Sequence, residues 1–101
     1  MATYKMEDGV IVKTENATQK WEEDTFWNGS NHISRATGSQ WSHETLYLSK
    51  KGNYWIEHTS QMQGAVDHAE WIDQHGAATW LIVNGHELPE DLKEREEEIT
   101  E

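Results

Sequence analysis

Six histidines, His32, His43, His58, His68, His75 and His86, stand among 19 aspartates and glutamates. These are the materials of a metal site or of acid–base chemistry. A transition metal needs three or four such ligands converging at about 2 Å. Helices gather them as His-x3-His and strands as His-x-His, and neither spacing occurs. His43, Glu44 and His58 come near one another only if the chain pairs around residue 51, and His43 then points away from the Glu44–His58 pair. Glu57 opposite Thr45, or Glu44 opposite His58, acts as a base only inside a desolvated cleft. There is no Gly-rich phosphate loop, no Gly-x-Ser-x-Gly, no His-Glu-x-x-His and no zinc-deaminase motif. The absence of cysteine removes disulfides, thiolate zinc sites and cysteine nucleophiles together. The expectation is a protein that is not an enzyme and uses no metal or cofactor.

Binding is better supplied than catalysis. Six tryptophans in 101 residues, Trp21, Trp27, Trp41, Trp55, Trp71 and Trp80, can each bury about 150–250 Å². They give a chain with a mean hydropathy of −0.93 the means to fold. The formal charge of −11, from 19 acids against 8 lysines and arginines, argues against a nucleic-acid binder that neutralises phosphates with a basic face. It favours a partner with a basic surface, because acids steer encounter and aromatic side chains supply the central contact. No run approaches the ~20 apolar residues of a membrane span. The first residues show no apolar leader, so the expected location is the cytoplasm.

The elements that must position these side chains are readable in places. Residues 43–60, HETLYLSKKGNYWIEHTS, hold two aromatic and β-branched runs around Lys50-Lys51-Gly52-Asn53, a hairpin signature. With Gly52 left-handed, Leu48 pairs with Tyr54, Leu46 with Ile56 and Glu44 with His58. Leu46, Leu48, Tyr54 and Ile56 then form the buried face. Tyr47, Trp55 and Glu57 fall on the outward face, either exposed as a binding platform or covered by another element such as residues 22–42. A second hairpin is expected over Thr3–Met6 and Val10–Lys13 around Asp8-Gly9, followed by a short helix through Ala17–Lys20 capped by Thr14 or Asn16. Short strands are expected near Phe26-Trp27 and His32-Ile33, between turn clusters. Ala69–Ile72 reads as a strand. Residues 74–84 read as a helix, with Asp73 as N-cap, Gly85 as stop, and Ala77, Trp80, Leu81 and Asn84 on one face.

The fold class expected is α+β: an antiparallel sheet of about four to six short strands with one main helix packed on it. Residues 1–88 form the domain. Residues 89–101 form an acidic tail, a helical turn or two after Pro89 and then a frayed end.

Residues 43–61, HETLYLSKKGNYWIEHTSQ, and 69–89, AEWIDQHGAATWLIVNGHELP, resemble a group of small uncharacterised bacterial proteins. Those pair an ETLY-type strand with a Gly-Tyr-aromatic strand, then add a strand and an Ala/Trp/Leu-rich helix. The resemblance implies a small bacterial α+β domain, of a kind carried on mobile elements, and implies no activity. The functional expectation is a protein-interaction domain that binds a basic surface through Tyr47, Trp55 and Glu57, with Glu94, Glu96, Glu97 and Glu98 of the tail as auxiliaries. One version is an inhibitor acting as a negatively charged decoy. The alternatives are a small-ligand or carbohydrate-binding module using the same aromatic face, a homodimer formed through it and, third, an enzyme or metal-binding protein.

Overall fold

In chain order the strands are β1 (Thr3–Lys5), β2 (Ile11–Lys13), β3 (Gln19–Glu22), β4 (Thr25–Trp27), β5 (His32–Ser34), β6 (Ser42–Leu48), β7 (Tyr54–Ser60) and β8 (His68–Ile72). Helix α1 (Gln74–Val83) follows, and a 3-10 stretch (Glu90–Arg95) runs into a last turn, α2 (Glu96–Ile99). The computed structural model describes residues 2–99, so residues 100 and 101 of the expected tail lie outside the described residues. The architecture is α+β. Its centre is an antiparallel sheet in the order β3-β6-β7-β8, and β1-β2 and β4-β5 are separate two-stranded hairpins.

The β6-β7 hairpin has the expected register, with Leu48 opposite Tyr54, Leu46 opposite Ile56 and Glu44 opposite His58. Its turn explains why. Gly52 sits at φ +85, a conformation that costs a side-chain-bearing residue stability. There its N–H donates to the Ser49 carbonyl (3.0 Å), while the Ser49 N–H donates to Asn53 (2.9 Å).

Helix α1 is closed at both ends. The Asp73 side chain accepts from the Gly76 N–H at 2.7 Å, which satisfies one of the donors that a helix leaves open at its start. At the other end Gly85 is left-handed, and its N–H donates to Ile82 while that of His86 donates to Leu81. These two bonds are the Schellman pattern. A Cβ on Gly76 would lie 2.7 Å from Ile72 Cγ1, so glycine lets the first helical turn pass close over the end of β8.

The sheet is covered on both faces. On one, Leu46, Tyr54 and Ile56 pack against Ala77, Ala78, Trp80 and Leu81 of α1, with Leu88 and Leu92 completing that core. On the other, Tyr47 and Trp55 pack beneath Met6 and Val12 of the β1-β2 hairpin. The fold is three layers: hairpin, sheet, helix.

Two sequence expectations are corrected here. Residues 17–20 do not form a helix. A 3-10 turn at Thr14–Asn16 ends there, and Gln19–Glu22 pair with β6 as an edge strand. The free edge of β6 supplies hydrogen-bond partners such as the Leu48 carbonyl, which accepts from the Thr18 N–H at 2.8 Å. Tertiary pairing outweighs a weak local helix preference. The outward face of β6-β7 is also not exposed, and what covers it is the N-terminal hairpin rather than residues 22–42. Those residues instead build the β4-β5 hairpin, close to the positions expected.

The start of the tail is fastened to the domain. Leu92 is 0% exposed within the helix-side core, and the Tyr54 hydroxyl donates to Asp91 Oδ2 at 3.0 Å. Leu92→Ala should therefore lower stability by about 2–5 kcal/mol, as for a buried leucine elsewhere in a core. Urea unfolding followed by tryptophan fluorescence checks this, and an unchanged midpoint would mean that the segment lies loose in solution.

Candidate interaction surface

Of the residues expected to bind a partner, Tyr47 and Trp55 are 5% and 1% exposed. Their rings stack at 4.4 Å between centroids, and Tyr4 meets Trp55 edge-on at 6.2 Å. Glu57 serves this buried layer: Tyr4 donates its hydroxyl to Oε2 at 2.5 Å and Tyr47 donates to Oε1 at 3.2 Å. Burial, with the negative charge and hydrogen bond of Glu57 added, pushes the Tyr47 phenol up to about 12. Burial and the same carboxylate push the Tyr4 phenol far above its ordinary range. Tyr54 is raised likewise by burial and by its bond to Asp91. The expected aromatic platform is thus an internal contact between sheet and hairpin.

The histidines and carboxylates of the expected constellation bond to one another and to Trp80. As the register requires, Glu44 and His58 share the helix-side face and His43 lies on the other. Glu44 Oε1 accepts from the Trp80 indole N–H at 3.0 Å, and Glu44 Oε2 lies 3.2 Å from His58 Nδ1. Glu70 Oε1 is 2.8 Å from His58 Nε2, and the His68 ring stacks on His58 at 4.6 Å. Just beyond β3, Glu23 accepts from the Glu44 N–H at 2.6 Å and meets His43 Nδ1 at 2.7 Å. These groups join the ends of β3, β6, β7 and β8. No set of three or more His, Asp or Glu side chains among the described residues is placed to hold a metal ion.

The exposed aromatic surface lies elsewhere. Phe26 (38%), Trp27 (60%), Trp41 (47%) and Met62 (57%) are large apolar side chains open to solvent. They come from the β4-β5 hairpin, the approach to β6 and the loop after β7. The sheet order places all three at one end, where β3 and β7 finish and β6 and β8 begin. The β4-β5 hairpin is held there at its base. The buried Asn84 side chain accepts from the Asp24 N–H at 2.9 Å, and Arg35 Nε donates to Asp24 Oδ2 at 2.8 Å. The Arg35 guanidinium also lies over the Phe26 ring at 4.9 Å. The Trp27 ring meets the His32 ring edge-on at 5.1 Å.

Glu22, Asp24, Asp67 and Glu70 are exposed around the same end. In residues 21–46 and 56–72 the single lysine or arginine is Arg35, already bonded to Asp24. The acids of the tail are not part of this surface. Glu94, Glu96, Glu97 and Glu98 are exposed, but the segment doubles back along α1, and Arg95 Nε donates to Gln74 at 3.0 Å, at the opposite end of the sheet. Sequence reasoning passed over Trp27 and Trp41 as binding residues. The available signal was the turn cluster Asn28-Gly29-Ser30-Asn31, which puts Trp27 beside a hairpin tip.

No helix among the described residues is long and apolar enough to cross a membrane. No protein-family model, curated protein or solved structure matches the chain. What fold and surface together define is an α+β domain with an acidic end that carries exposed aromatic side chains.

Proposed function

We propose that the chain is a non-catalytic, cytoplasmic interaction domain whose acidic, aromatic end docks on a basic surface of another protein. The observation that carries this reading is the gathering of Phe26, Trp27, Trp41 and Met62 at the end of the sheet where exposed acids meet a single, already paired arginine. Aromatic anchors inside a charged rim are the usual anatomy of an interface, with affinity concentrated in a few such side chains. The charge sets the partner's sign and speeds encounter. A decoy for a nucleic-acid channel is one form that such a partner allows, since its basic lining complements the same surface.

The test is affinity capture from bacterial lysate with mass spectrometry, at ~50 mM and ~500 mM salt so that the screening length falls well below 10 Å. The bait is the native chain and, beside it, a Trp27→Ser/Trp41→Ser variant. Basic proteins retained by the native chain at low salt, lost at high salt and lost by the variant are the expected result. An identical set retained by the variant, or capture indifferent to salt, overturns the proposal.

A further inference from the structure

The opposite end of the sheet holds an open groove of about 790 Å³ between β2, the β6-β7 turn and the junction of β8 with α1. Its size lies within the range of small-molecule sites, about 300–1,000 Å³. Its lining is mixed, with an apolar part formed by Val10, Ile11, Val12 and Trp71 beside polar and charged side chains. Val10 and Ile11 line it while remaining 47% and 53% exposed, and Trp71 forms part of its floor.

Its charge runs against that of the whole molecule. Among the described residues Lys5, Lys13, Lys50 and Lys51 are the cations in no ion pair, and the last three border this groove. The two carboxylates beside it are already engaged. Asp8 accepts from the Trp71 indole N–H and the Val10 N–H, both at 3.1 Å, and Asp73 caps α1 through Gly76. In a chain with 19 acids, a groove lined by three lysines against two aspartates, a net of +1, is a local excess of positive charge.

We infer that this groove binds a small amphipathic organic anion, an apolar body of ring or branched-chain type carrying one carboxylate, sulfonate or phosphate. The apolar part lies against Val10, Ile11 and Trp71 and the anionic group reaches the lysines. A long polyanion is excluded by the acids on the rest of the surface.

Anilinonaphthalene sulfonate, an aromatic anion, is the probe, with the uncharged phenylnaphthylamine as its control. The expected result is saturable binding of one sulfonate per chain, with the Trp71 indole N–H resonance shifting and those of Trp27 and Trp41 unmoved. A Lys13→Gln/Lys50→Gln/Lys51→Gln variant, altered only at exposed positions, should lose about tenfold or more in affinity for the anion, with no change for the neutral control. Equal affinity in the variant, shifts confined to Trp27 and Trp41, or no saturable binding each overturn the inference. The first of these leaves the aromatic-end reading intact, because the lysines lie at the other end of the sheet.

Discussion

Trp55→Ala should destabilise the domain by about 3–5 kcal/mol, the range for deleting a buried aromatic side chain. Trp55 is 1% exposed and is stacked on Tyr47 beneath Tyr4, Met6 and Val12. Its removal opens a cavity at the centre of the hairpin-side core, which the two short strands β1 and β2 cannot fill without losing their own contacts. A domain of this length is held by roughly 5–15 kcal/mol in all, so about a fifth or more of its stability is at stake. Trp27→Ala, at an exposed site, should stay within about 0.5 kcal/mol. The pair of variants separates the structural tryptophan from the surface one in a single set of urea curves. Equal midpoints for both would mean that the N-terminal hairpin does not cover the sheet.

The second large effect is on alkaline stability. All three tyrosines of the chain are held neutral in the folded state above their ordinary value of 10.0, Tyr47 to about 12 and Tyr4 and Tyr54 higher still. The unfolded chain releases these protons near pH 10, whereas the native chain keeps them. Stability contributed by the neutral phenols is therefore complete below pH 10 and is lost as pH rises through the folded-state values. The ultraviolet absorbance of tyrosinate should stay low as pH passes 10 and then rise cooperatively with loss of the native circular dichroism. Glu57→Gln should bring the onset for Tyr4 and Tyr47 down while leaving Tyr54 in place, and Asp91→Asn should do the reverse. A gradual, independent titration of three phenols centred at pH 10 would contradict the packing of all three.

The elements were more legible than the layers. The β6-β7 register followed from Gly52 and from alternating residues, and α1 from Asp73 and Gly85, because turns and caps are decided by neighbouring residues. The second core was not legible from alternation alone, since Met6 and Val12 reach Tyr47 and Trp55 only through the fold. A trace of it was present. Leu46-Tyr47-Leu48 and Tyr54-Trp55-Ile56 are unbroken apolar runs, and such runs mark strands buried on both faces. Residues 17–20 show the opposite case, where a locally permitted helix gave way to an open strand edge. Apart from the turn cluster beside Trp27, the exposed aromatic end was hidden, because solvent exposure depends on what fails to cover a side chain.

The layer that covers Trp55 is made before the strands it covers. Tyr4 and the Glu57 that receives its hydroxyl are 53 positions apart, and an isolated two-stranded hairpin is marginal at best in water. During synthesis, which proceeds from the N-terminus, residues 3–13 leave the ribosome before the strands on which they settle. They wait until β7 has followed. Until then β1 and β2 have no sheet to cover, and once β6 and β7 have paired, their Tyr47–Trp55 face is open to whatever lies nearby. The β1-β2 hairpin seals the domain over Tyr47 and Trp55, so a bulky group fused ahead of Thr3 would act on the closing step rather than on the sheet.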